Sequence, residues 1–103
     1  MEGERCTATG YECAGGWQAL ECRDGRWRAL PCWGPRGCSE EAGRVACDMS
    51  GDLAGHACAA SAEGRSVCTF QGDAVLECRL GTFVRTKACS TCTVAGDAVL
   101  CQP

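Results

Sequence analysis

Ala-Leu-Glu-Cys-Arg-Asp-Gly-Arg-Trp at 19–27 and Val-Leu-Glu-Cys-Arg-Leu-Gly-Thr-Phe at 75–83 align without a gap. Leu, Glu, Cys, Arg and Gly coincide, and Trp27 falls on Phe83. Around these segments, Cys6, Cys13, Cys22, Cys32, Cys38 and Cys47 form one group, and Cys58, Cys68, Cys78, Cys89, Cys92 and Cys101 form a second. Steps of 7, 9, 10, 6 and 9 in the first face steps of 10, 10, 11, 3 and 9 in the second. This is a tandem duplication. The modules are 1–48 and 58–103, joined by a linker over 49–57 that contains Gly51 and Gly55.

Each matched segment reads as a β-hairpin. Asp24-Gly25 is a strong two-residue turn signal, and such a turn sets Cys22 opposite Trp27 and Glu21 opposite Arg28. Leu80-Gly81 suits a type I turn with a G1 bulge better, because leucine resists positive φ. Two further hairpins follow from arithmetic. Opposed residues across a two-residue turn have a constant sum, and Cys38 with Cys47 about Ala42-Gly43, and Cys92 with Cys101 about Gly96-Asp97, satisfy it. Opposed Cα atoms at a non-hydrogen-bonded site lie within disulfide reach, so Cys38–Cys47 and Cys92–Cys101 are the expected bridges. No segment offers a capped amphipathic helix. The expected fold is small, disulfide-rich and β-rich, with two tandem six-cysteine β-hairpin modules, drawn out as a stack of hairpins, and little or no helix.

Composition explains why cysteine must carry the fold. Six Leu, six Val, two Phe and no Ile make 14 of 103 residues, below the roughly 20% that burial-driven folding needs. Modules under 50 residues sit at the size where staples are needed, and each bridge is worth about 2–4 kcal/mol. A deep-pocketed large enzyme is excluded, as is a membrane span, since no run approaches ~18 apolar residues. The net charge of −3, mixed along the chain, argues against nucleic acid. An even count of twelve cysteines points to an oxidising compartment: secreted, cell-surface, or the periplasm and outer envelope of a bacterium. Residues 1–5 are polar and carry no leader-like apolar run, so the chain reads as a mature segment or as a piece of a longer precursor.

The order Cys, Cys, Leu-x-Cys-x-x-Gly-x-aromatic, Cys, Cys, Cys over 6–47 and 58–101 resembles the cysteine-rich tandem repeats of secreted and cell-surface proteins of myxobacteria and their relatives. That resemblance implies an envelope or extracellular setting and brings no defined chemistry. The Leu-Glu-Cys-x-x-Gly core is also similar to chitin-binding peritrophin modules, whose outer cysteine spacing differs.

Chemistry-bearing candidates are few. Cys89-Ser-Thr-Cys92 is a CxxC, but a redox motif would lead a helix, and a zinc site would need a second ligand pair; both cysteines read as structural. His56 is the one histidine and lies in the linker, so no catalytic triad can be assembled and no enzyme, metal or cofactor is expected. Tyr11, Trp17, Trp27 and Trp33 crowd into module 1, where they either cover disulfides or form a binding face. Arg36 sits in Cys32-Trp-Gly-Pro-Arg-Gly-Cys38; a Cys32–Cys38 bridge would present it as small protease inhibitors do, but would compete with Cys38–Cys47. The leading expectation is a non-catalytic structural or adhesive module, a stalk, filament subunit or envelope unit, whose partner is itself or another surface protein. The alternative is a glycan- or protein-binding module using the module-1 aromatics, and the third is an inhibitor presenting Arg36.

Overall fold

The computed structural model describes residues 2–7, 10–96 and 98–103. In module 1, β1 (Tyr11–Cys13), β2 (Gln18–Arg23) and β3 (Arg26–Pro31) form an antiparallel meander, followed by the hairpin β4 (Cys38–Glu41) and β5 (Arg44–Cys47). A short β6 (Gly51–Asp52) comes next. Module 2 then repeats the plan with β7 (Ser66–Thr69), β8 (Ala74–Arg79) and β9 (Thr82–Ala88), followed by the hairpin β10 (Thr91–Ala95) and β11 (Ala98–Gln102). One 3-10 turn, Ala60–Ala62, is the only helical segment among the described residues. The molecule is drawn out, 44 × 26 × 18 Å.

The expected registers of β2 against β3 and of the two terminal hairpins appear in the structure: Cys22 faces Trp27, Cys38 faces Cys47 and Cys92 faces Cys101. The turn at Leu80 differs. Arg79 pairs with Thr82, and both Leu80 (φ 52°) and Gly81 (φ 77°) are left-handed, so the turn is a two-residue type I′ and not a bulged type I. The Glu63 carboxylate accepts both turn N–H groups, from Leu80 at 2.7 Å and from Gly81 at 2.9 Å, and holds leucine where it would not go alone.

The bridges correct the expected pairs. Cys38 bonds Cys13 and Cys47 bonds Cys32; Cys92 bonds Cys68 and Cys101 bonds Cys89; Cys6–Cys22 and Cys58–Cys78 complete the set. Both modules therefore share one connectivity, first to third, second to fifth, fourth to sixth. Neither Cys38–Cys47 nor Cys92–Cys101 forms. Opposed cysteines on a hairpin are already held by its ladder, and a bridge between them would close only a short loop. Reaching across to the meander closes loops of 25 and 15 residues in module 1, and of 24 and 12 in module 2, which fixes hairpin to sheet.

The modules share a core. Ala19, Leu30 and Cys32 of module 1 cluster with Cys58, Ala59, Ala62, Leu76, Cys78 and Phe83 of module 2, all essentially buried. Polar bonds frame the junction: Glu21 Oε2 accepts the Ala60 N–H (3.0 Å) and the Tyr11 hydroxyl (2.8 Å), and the Arg28 guanidinium donates to the Gly81 carbonyl. The 49–57 stretch takes part too, since β6 adds to the module-2 sheet by parallel pairing with β7.

Candidate functional site, an aromatic groove at the module junction

Trp17 precedes β2, and the turn at 34–37 lies against it. Gly37 is left-handed (φ +60°), and a Cβ there would meet the Gly16 carbonyl at 2.2 Å and the Trp17 ring at 3.1 Å. Only glycine admits this approach, which props the indole outward; Trp17 is 60% exposed. Trp33 follows the Cys32–Cys47 bridge, and its main-chain N–H donates to Asp52 Oδ1 at 3.4 Å. Phe70 comes from module 2, on the turn between β7 and β8. Thr69 Oγ1 locks that turn, bonding Asp73 Oδ1 (2.6 Å) and accepting the N–H groups of Asp73 (3.0 Å) and Ala74 (3.2 Å). No core position awaits Phe70, which is 61% exposed.

These three rings line one open groove of about 540 Å³. Its lining also includes Pro35, the Cys68 and Cys92 half-cystines, and the polar residues Ser50, Thr69, Gln71 and Thr93, with no charged side chain. Trp33 is the keystone. Its ring meets Phe70 edge to face (centroids 5.7 Å, planes at 79°) and meets His56 in the same way (4.6 Å, 79°).

Beneath Trp33 lies an ionisable pair. Asp52 is fully buried, and its Oδ2 has no hydrogen-bond partner among the described residues. Burial pushes its carboxyl up to about 7, the Trp33 N–H opposes this, and the negative charge of Asp48 adds to it. His56 Nδ1 accepts the Leu53 N–H at 3.3 Å and stands 3.8 Å from Asp52 Oδ1, beyond hydrogen-bond range; burial lowers its pKa. For Asp48 burial acts to raise the pKa, but hydrogen bonds from Ser50 and from the Arg36 N–H outweigh it and hold the carboxyl below the usual range.

The five residues singled out from sequence fall into three places. Trp17 and Trp33 reach the groove. Tyr11 and Trp27 line a separate hollow with Arg5, Cys6, Thr7, Gly10 and Glu12. Arg36 is exposed, but it occupies a closed turn in which the Gly37 N–H bonds the Gly34 carbonyl (3.0 Å), unlike the extended strand a protease reads. Phe70, His56 and Asp52 were not in the set. The signal for Phe70 was present, since Thr69-Phe-Gln-Gly72 puts an aromatic on a turn where no core face asks for one. No protein-family model, curated protein or solved structure matches this chain.

Proposed function

We propose that this chain is an extracellular, non-catalytic adhesive module: a disulfide-held β-stalk that grips a neutral polysaccharide in the Trp17, Trp33 and Phe70 groove. The observation that carries the reading is the convergence of three rings from two modules on one exposed, uncharged groove. A soluble protein this poor in Leu and Ile gains nothing by leaving its largest apolar faces wet unless something covers them. Sugar rings offer C–H faces that stack on indole and phenyl, while their hydroxyls match Ser50, Thr93 and the Gln71 amide. An open groove also admits a chain passing through it, as a polymer requires. Six disulfides suit an oxidising compartment and add the rigidity that keeps a shallow site preorganised.

The test is co-sedimentation with insoluble neutral polysaccharides, together with tryptophan fluorescence on soluble oligomers. Binding is expected to quench or shift the emission, and Trp17→Ala should weaken it severalfold with the fold intact. Retention by none of a neutral panel, with capture by a protein surface instead, would replace this reading with a protein-binding one.

A further inference from the structure

Repeats that share an interface expose its two halves again at their free ends. Inside this chain, the face of module 1 that carries Ala19, Glu21 and Arg23 lies on the face of module 2 that carries Cys58, Ala59 and Phe83. The contact buries both sides: Ala19 is 0% and Glu21 4% exposed, and Cys58 is 0%, Ala59 3% and Phe83 1%. The duplication supplies each with a counterpart. Cys6, Thr7 and Trp27 stand where Cys58, Ala59 and Phe83 stand, and Val75, Glu77 and Arg79 stand where Ala19, Glu21 and Arg23 stand. Every one of these counterparts is half-buried or exposed.

The glycines at the hairpin tips report the same asymmetry. A Cβ on Gly81 would lie 2.7 Å from Nη1 of both Arg23 and Arg28, whereas one on Gly25 would meet nothing within 4 Å. So the socket that module 1 fills on module 2 is open on module 1, and the plug that fills it is repeated, unfilled, on module 2.

We infer that a second copy of this chain docks head to tail, its module-2 face (Val75, Glu77, Arg79, Val84) seated on the module-1 face (Cys6, Thr7, Gly25, Trp27) of the first. The occupant follows from continuity with the junction inside the chain, whose two halves are the ones left open. Glu77 stands in the place of Glu21, which accepts a main-chain N–H across the existing junction, and at present it pairs with Arg79. Arg79 stands in the place of Arg23, which lies over Gly81, and would lie over Gly25. Val84 replaces Arg28, so the guanidinium bond to a carbonyl is not repeated; its loss is offset by valine against the broader indole of Trp27 where the chain itself uses phenylalanine. The contact is heterologous and does not close on itself, so it builds linear arrays.

Sedimentation velocity of the oxidised protein from micromolar to millimolar should show mass rising with concentration beyond the dimer. Trp27→Asp spoils one face and Val84→Asp the other, so each variant alone should stay monomeric. Their equimolar mixture keeps one intact pair of faces and should stop at the dimer. Thiol counting and circular dichroism confirm that each variant is folded; Thr7→Lys, on an exposed residue, replaces Trp27→Asp if that variant fails. A wild type that is monomeric throughout, variants that assemble like the wild type, or a mixture that stays monomeric would each overturn the inference. Phe70→Ala should assemble normally, which separates this surface from the groove.

Discussion

Trp33 of module 1 and Phe70 of module 2 meet edge to face, with ring centroids 5.7 Å apart and planes at 79°. The groove therefore depends on two segments 37 positions apart in sequence and on the packing of one module against the other. The two rings differ in what they do for the fold. Phe70 stands mostly in solvent, while Trp33 also covers His56 and the buried Asp52 region.

Phe70→Ala should accordingly separate binding from stability. Polysaccharide affinity is expected to fall about tenfold, the ~1.4 kcal/mol that one aromatic contact can carry, with the melting temperature unchanged. Trp33→Ala should lose both, since its ring holds two neighbours. Equal loss of stability in the two variants, read by calorimetry beside binding, would contradict this division.

Gly34 gives a sharper steric case. A Cβ there would lie 2.2 Å from Cγ and Oδ1 of Asp48. That carboxylate cannot simply swing away, because it accepts the Arg36 N–H (3.0 Å), the Ser50 N–H (3.0 Å) and the Ser50 hydroxyl (2.6 Å). Gly34→Ala should cost about 2–3 kcal/mol by overpacking and lost hydrogen bonds. In a double-mutant cycle with Asp48→Ala the cost of the double variant should fall well short of the sum of the two single costs, because both single substitutions act through the Asp48 carboxylate.

Much of this architecture was legible, and the parts that were not share a cause. The duplication is legible by direct alignment of the two segments, and the hairpins and the registers at Cys22, Cys38 and Cys92 are local facts, fixed by turn residues and spacing within a dozen positions. The bridges are not local. The constant-sum rule finds which cysteines are neighbours, but Cys38 and Cys47 each bond across a gap between sheets, which spacing does not encode. The groove escaped for the same reason, since only the packing of module on module brings Phe70 to Trp33. Asp52 lies within the 49–57 stretch read as a linker, yet β6 pairs with β7 and buries it, with the Trp33 N–H bonded to its carboxylate. At Leu80, leucine's aversion to positive φ is real, but Glu63, 17 positions upstream, supplies the hydrogen bonds that override it.

Leu80 is 93% exposed at φ 52°, so its side chain packs on little while its backbone is strained. Leu80→Asn should stabilise the protein by about 0.5–1 kcal/mol, since asparagine tolerates the left-handed region and no packing is lost. Chemical denaturation of the oxidised protein would measure it. A clear destabilisation would mean that the leucine is covered by something in solution.

The buried Asp52 makes the stability of the fold depend on pH. Its carboxyl titrates near 7 in the fold, against 3.8 for an ordinary aspartate, so the native state holds a proton that the unfolded chain releases earlier. The stabilisation this gives is fully present below about pH 4 and is lost as pH rises through 7, on the order of 4 kcal/mol across the window. His56 runs the other way: burial lowers its pKa, so its contribution fades as pH falls below that of an ordinary histidine. The raw profile of the wild type mixes the two, and the difference from Asp52→Asn isolates one. Asparagine keeps the shape and the acceptor for the Trp33 N–H but cannot ionise. The variant should therefore gain on the wild type between pH 4 and 7, most steeply at about pH 5–6, where the unfolded carboxyl is ionised and the folded one is not, with the gap levelling off above 7; a gap that stays constant across that range would show that Asp52 does not titrate there.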